Sequence, residues 1–466
     1  MTIGRTAFLN IAGMSAASAV ACSFATSTLD ASEQEASKPN VILVMTDDQG
    51  WGDVAYNGHP TLKTPNLDAM AASGIRFDRF YSAAPVCTPT RASVMTGRNP
   101  NRYHCPRVGY PLRKQELTLA QIMKQNGYAT GHFGKWHLDG TGDNKPILQD
   151  NPLNPGVFGF DRWSSSSNFF DIDGKLGRNG KPFKLEGDSS VATVKESLEF
   201  LKECVKDKKP FFSVVWFGSP HIPHRAADED KKLYENCTEE QKNYFGEISG
   251  IDRAVGIIRT ELRNMNIADN TILWFCSDNG GDFDKDSVGN LKGGKASLHE
   301  GGIRVPGIIE WPSLINKPRT TAMPAFTSDI MPTVLEAVNA KVPSPVLPLD
   351  GISLMPLISG KTEKRDKLMF FWYGEQYAVM DDAYKLYLST KKGNESPSLY
   401  DIVNDPKETK DISAEKKEIT QEFKQKLDEW VASVKLSQEG KDYPEGKLTS
   451  PDFEPKKKGK KANKKE

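Results

Sequence analysis

Four long apolar runs interrupt an otherwise polar pattern, and three of them lead straight into charged or metal-ligating groups. NVILVMT (40–46) ends in Asp47 and Asp48, PFFSVVWF (210–217) runs into SPHIPH, and TILWFC (271–276) ends in SDNGG. GIRVPGIIEWP (302–312) is the fourth. Unbroken runs of this length suit strands buried on both faces of a parallel sheet. Between them the apolar positions recur at helical spacing. TPNLDAMAASG has Thr64 placed as an N-cap, Pro65 in the first turn and Gly74 as a stop. RASVMTGR, TLAQIMKQNG, VATVKESLEFLKECVK, NYFGEISGIDRAVGIIRTELRNM and SDIMPTVLEAV read as further helices, and YATGHFGKWH as strand into loop. The alternation predicts an α/β fold with a large, mostly parallel central sheet flanked by helices.

Residues 139–190 are rich in Gly, Asn, Asp and Ser and read as a long surface excursion. The Pro-rich KVPSPVLPLDG marks a boundary. After it, KLMFFWYG, YAVMDD and YKLYLST read as short antiparallel strands, followed by a helix near 415–436. The expected division is a catalytic domain over 38–360 and a small C-terminal α+β subdomain over 365–440.

Charge changes this picture only at the ends. The 466 residues balance 61 basic against 61 acidic groups. The tail 451–466 holds seven lysines against three acids and reads as a disordered, solvated extension, which leaves residues 22–450 net acidic. A nucleic-acid partner is therefore not expected. No apolar run is long enough for a transmembrane segment. Residues 1–21 resemble an export signal, with Ala19-Val20-Ala21 at the cleavage position and Cys22 placed for lipid anchoring. The expected location is periplasmic or extracellular. Six cysteines are too few for a disulfide scaffold in a chain of this size.

Asp47, Asp48, Asp278 and Asn279 follow two different strands. In open α/β sheets ligands gather at the carboxyl ends of strands. Three carboxylates and an amide oxygen converging there would form a hard site, which favours Ca²⁺ or Mg²⁺ over zinc. Singly, each pair could equally be ordinary strand-end or cap residues. Lys135 with His137, His221 with His224, and Lys292 and Lys295 with His299 add three cationic clusters at strand ends, as a pocket for a multiply oxygenated anion needs. Cys87, in PVCTPTRASVMTGR, fits neither an apolar core nor a thiolate site beside a hard metal. The residues alone lead to a metal-assisted anion hydrolase with one unexplained cysteine.

PVCTPTRASVMTG resembles the first signature of the type I sulfatases of the alkaline-phosphatase superfamily, and GYATGHFGKWH the second. MTDDQGWGD, TPNLDAMAASGIRF, SPHIPH, SDNGG, GGIRVPGIIEWP, LDGISLMPLISG and LYDIVNDPKET continue the likeness in order over about 40–410. The chain is similar above all to arylsulfatase A and N-acetylgalactosamine-6-sulfatase relatives. The resemblance implies that Cys87 is converted by a maturation enzyme to Cα-formylglycine, with Thr88, Pro89 and Arg91 in the recognition motif. One hydroxyl of the hydrated aldehyde attacks sulfur; the other lets the aldehyde reform and expel sulfate. It implies Asp47, Asp48, Asp278, Asn279 and the modified Cys87 as calcium ligands. Arg91 would hold the hydrate, Lys135 and Lys295 the sulfate oxygens; His137 would assist sulfate release and His221 protonate the leaving alcohol. Lys292 is the alternative to Lys295.

The expected substrate is a sulfated carbohydrate or aryl sulfate, with His104, Arg107, His224 and Arg225 as candidate contacts. Two departures stand out. Gln49 replaces a frequent leucine, and Phe133 is bulkier than expected, which bears on pocket shape. Two other functions stay open on sequence: a phosphodiesterase or phosphonate monoester hydrolase, and a catalytically silent glycan-binding protein.

Overall fold

The structure, a computed structural model, describes residues 38–344, 347–391 and 396–449. The proposed export segment 1–21, Cys22 and the tail 451–466 lie outside the described residues.

The central sheet has eleven strands. In chain order they are β1 (Asn40–Thr46), β2 (Ile75–Tyr81), β3 (Ala129–Lys135), β4 (Arg162–Ser166), β5 (Lys175–Arg178), β6 (Lys181–Lys184), β7 (Phe211–Trp216), β8 (Thr271–Ser277), β9 (Arg304–Glu310), β10 (Arg319–Thr321) and β11 (Ala325–Phe326). Their spatial order is β10-β2-β9-β8-β1-β7-β3-β4-β5-β6, with β11 also on β2. The central five, β8-β1-β7-β3-β4, are parallel.

β9 departs from the parallel pattern and runs antiparallel to both β8 and β2. Only the short helix Glu300–Ile303 lies between β8 and β9. The connection is long enough for a parallel return, but it runs as loop and lacks the packed crossover helix that usually makes one. The 139–190 stretch is also more ordered than its composition predicts, because β4 extends the sheet and β5 and β6 close its edge as hairpins.

Side-chain alternation divides the core into two layers. Val41, Leu43 and Met45 of β1 face one side, with α2 (Cys87–Thr96) and α3 (Leu119–Gln125) contributing Val94, Met95, Ile122 and Met123. Ile42 and Val44 face the other, against α1 (Pro65–Ser73), α4 (Ser189–Lys206) and the helix Glu239–Asn264. Burying each such side chain contributes roughly 1.5–3 kcal/mol. The Thr64 side chain does not cap α1. Its hydroxyl accepts from the Ala55 N–H at 2.8 Å, while Asp252 takes the first helical N–H groups, those of Asn66 and Leu67, at 2.9 and 2.8 Å.

A second, antiparallel sheet comprises β12 (Met369–Tyr373), β13 (Gln376–Met380), β14 (Tyr384–Ser389) and β15 (Ser398–Asp401). One face packs on Phe423, Leu427, Trp430 and Val434 of the helix Lys417–Gln438. The other meets Tyr81, Ile303 and Phe326 of the main body. Beside this contact Lys385, fully buried, reaches Glu300 at 3.0 Å and Glu408 at 3.2 Å. Among the described residues no helix is long and apolar enough to cross a membrane.

Candidate active site

Sheet register assembles the site. Thr46 pairs with Ser277 and Met45 with Trp216, so the residues after β1, β7 and β8 emerge side by side at one rim. β3 reaches the same rim, where Gly134 pairs with Trp216 and Lys135 follows. Gly134 sits at φ 100°, and a Cβ there would lie 1.9 Å from the Trp216 carbonyl oxygen. Only glycine allows that approach. Asp48 and His137 occupy the same left-handed region, at φ 64° and 54°. Non-glycine residues held there cluster at functional sites.

Cys87 opens α2, and its Sγ donates to Asp47 Oδ1 at 3.2 Å. One turn later Arg91 donates to Asp278 Oδ2 through Nη2 (2.7 Å) and Nε (3.0 Å), with its guanidinium over the Trp216 ring. Lys135 donates to Asp47, and Lys295 to Asp48. The Asp48 N–H donates to Asp278 Oδ1 at 3.1 Å, and Asn279 Nδ2 to Asp48 Oδ1 at 2.8 Å. The side-chain amide oxygen of Asn279, Oδ1, is buried without a protein partner. Ligand atoms of Asp47, Asp48, Cys87 and Asp278 all lie within 4.8 Å of one another. Clustered hard donors and an unsatisfied buried amide oxygen fit a divalent oxygen-loving cation.

The electrostatics follow from burial and pairing. Burial would raise the Asp47 carboxyl, but Lys135, His221, Arg91 and Lys295 outweigh it and hold the group well below its ordinary value. Asp278 moves up, because burial outweighs Arg91. Burial, then Asp278 and Asp47, push the Cys87 thiol up, so its thiolate is disfavoured. His137 is kept neutral by burial and by Lys135, and neither ring nitrogen has a protein partner. His221 stacks on Phe169 at 4.6 Å; its Nδ1 donates to the Ile222 carbonyl, which leaves Nε2 3.6 Å from Asp48 Oδ2.

Other candidates are placed differently. Lys292 turns away, to the Tyr400 hydroxyl and the Glu408 carbonyl, both at 3.3 Å. His104 contacts the Gln438 carbonyl at 3.1 Å. Arg107 lies over Tyr110 and within electrostatic reach of Tyr373, which also senses Lys295 and Cys87. His224 packs on Tyr244 and Phe283 beside Glu247, and Arg225 faces Asp171. Phe133 points into the core against Phe200, so its bulk does not enter the pocket. Gln49 donates to the Asp53 carbonyl. Trp216 and Tyr373 carried no signal in the sequence, since aromatics within apolar runs read as core, and Phe169 carried none because it falls in the polar 139–190 stretch.

The sequence profile of the Sulfatase family matches residues 39–340, and that of the N-sulphoglucosamine sulphohydrolase C-terminal region matches 294–433. The chain is 31% identical to the N-acetylgalactosamine-6-sulfatase of Canis lupus familiaris, over 76% of this chain and 72% of that protein. It is 30% identical to human (Homo sapiens) arylsulfatase A, over 79% of this chain and 82% of the relative. The crystal structure of Ps i-CgsB in complex with k-i-k-neocarrahexaose superposes with a TM-score of 0.77 at 29% identity, covering 84% of this chain and 92% of the other.

Proposed function

The chain belongs to the sulfatase family, as a type I sulfatase of the alkaline-phosphatase superfamily, and we propose that it hydrolyses a sulfate ester on a sulfated sugar, with Cys87 as the precursor of a formylglycine. The observation that carries this reading is the meeting of Cys87 with three carboxylates under two lysines and an arginine. Asp47, Asp48, Asp278 and Asn279 would hold a calcium ion. When present, the aldehyde supplies a hydroxyl nucleophile as its hydrate, and the ion supplies Lewis acidity.

The remaining work falls to the chain's own side chains. Lys135 and Lys295 draw the sulfate oxygens in and offset the negative charge that builds in the transition state. Arg91, fixed by Asp278 and Trp216, holds the position-87 side chain against the anion. His137, neutral and without a protein partner, accepts a proton during sulfate release. His221 presents Nε2 at the open side of the site and delivers a proton to the departing sugar oxygen. Such proton transfers contribute about 10²–10⁴-fold. Relatives named for N-acetylgalactosamine 6-sulfate and aryl sulfate favour an oxygen-linked sulfate on a sugar or aromatic alcohol. Export to the periplasm or exterior, and a division near 360–365, belong to the same reading.

Sulfate release from 4-nitrophenyl sulfate and from sugar sulfates, beside phosphate release from matched phosphodiesters, tests it. Sulfate release should dominate and vanish in Cys87→Ser made in a host whose maturation enzyme accepts only cysteine. Dominant phosphodiester cleavage, or an unimpaired Cys87→Ser enzyme, would overturn it.

A further inference from the structure

The reacting centre is almost sealed. The side chains of Asp47, Arg91, Lys135 and Asp278 are wholly buried, while His221 and Lys295 remain 18% and 20% exposed. Substrate therefore has to enter, and its alcohol portion to project, between His221 and Lys295. A groove of about 380 Å³ takes Ser297, from the loop that carries Lys295, into its lining. Ser297, Tyr373, Glu375, Gln376, Tyr387, Ser389 and Lys391 line it, with Gly374 at the turn between two of its strands. That volume falls within the range of small-molecule clefts, roughly 300–1,000 Å³.

Each wall of the groove has a neighbour in the centre. Ser297 stands two residues from Lys295 on the same loop, and Tyr373 senses the charges of both Lys295 and Cys87. Gln376 fastens the two walls together. Its Nε2 donates to the Ala296 carbonyl at 3.0 Å, and its Oε1 accepts the Leu298 N–H at 3.0 Å and the Tyr387 hydroxyl at 3.3 Å. Two phenols, serine hydroxyls, the Gln376 amide and one residue of each charge, Glu375 and Lys391, give a lining that is amphipathic rather than apolar. It matches a ligand with hydroxyl-rich edges and hydrophobic C–H faces.

We infer that this groove, between the Lys295 loop and the β12–β14 sheet, is a subsite for the saccharide units attached to the sulfated one. The enzyme would thus prefer a sulfated oligosaccharide to the corresponding monosaccharide sulfate. The inference rests on the sulfated-sugar reading above, and adds that the chain beyond the sulfated ring is gripped by the second sheet. Lys391, an exposed residue of the lining, would meet an anionic or hydroxyl group of that chain, and Glu375 its hydroxyls.

The test uses the full, matured enzyme and matched pairs of monosaccharide sulfate and terminally sulfated tetrasaccharide, across galactose, N-acetylgalactosamine and glucosamine series. 4-Nitrophenyl sulfate serves as the reference, so that division by its kcat/KM cancels any loss of folded protein. For the series that is turned over, we expect tetrasaccharide kcat/KM to exceed that of the monosaccharide by about tenfold or more. In Tyr387→Ala and in Lys391→Ala that advantage should shrink at least threefold. Equal rates on both lengths, or an advantage intact in both variants, would overturn the groove alone and leave the sulfatase reading standing. Hydrolysis of the aryl ester with no sugar sulfate accepted would remove the sulfated-sugar reading and the groove with it.

Discussion

Lys295 and Lys292 differ by three positions in one glycine-rich loop, yet only Lys295 points at the candidate site. Lys295 ends on Asp48; Lys292 ends on Tyr400 and Glu408 in the C-terminal region. Sequence spacing ranked the two but could not exclude either, because the loop's turn at Ala296, φ 69°, leaves no signature in composition. Lys295→Met should lower kcat/KM for sulfate release by about 10²–10³, the scale of losing one transition-state charge partner. Lys292→Met should cost less than tenfold. Steady-state kinetics on 4-nitrophenyl sulfate checks both, and comparable losses would show that the loop rearranges around substrate. The acids 47, 48 and 278 were legible because each stands within two or three residues of the end of an apolar run. Phe169, which orients His221, was not, since a stacking partner far off in sequence cannot be read from local pattern.

At the scale of elements, the buried strands β1, β7 and β8 were plain from their apolar runs, and the short antiparallel strands after 365 from their aromatic alternation. β2 and β4 were not. Arg76, Asp78 and Arg79 break the apolar pattern of β2, and RWSSS reads as loop until β3 supplies its ladder. Tertiary pairing overrode local preference there. The direction of β9 was likewise hidden, because the 278–299 connection is long enough for either direction and only its folding as loop separates them.

The second sheet is locked to the main body by Lys385 between Glu300 and Glu408. Lys385→Met would remove the cation that two buried carboxylates share, leaving Glu408 to His299 and Glu300 to the more distant Arg304, a loss of about 3–5 kcal/mol measurable by denaturant unfolding. The pH dependence has a defined sign. Burial would raise the Glu408 carboxyl, but Lys385 and His299 outweigh it and depress the group to about 2. An unfolded glutamate titrates near roughly 4.3. Glu408 therefore adds stability that is complete above that range and is lost as pH falls toward about 2. Unfolding free energies measured across this window should fall with acid in the wild type and fall less steeply in Lys385→Met. Identical slopes would remove the ion cluster as the cause.

Over the whole molecule, a mixed sheet brings acids from the ends of two strands, a lysine from a third and a cysteine from a helix start into one buried cluster. Removing a bound divalent ion should leave Asp47, Asp48 and Asp278 repelling one another. Chelation should therefore abolish sulfate release and lower the Tm, with Ca²⁺ restoring both. Full activity after exhaustive chelation would rule the ion out of the reaction. Which groups converge was legible from the sequence, but not how: the register Thr46 to Ser277 and the approach at Gly134 come from packing, not from any motif.

Conversion of Cys87 is the claim on which the chemistry turns. The most direct measurement is the mass of the peptide containing Cys87, taken from the same preparation whose sulfate release has been titrated. We predict an aldehyde in place of the thiol, in a fraction that rises in step with the fraction of active enzyme. A fully active preparation in which every Cys87 retains its thiol would contradict it.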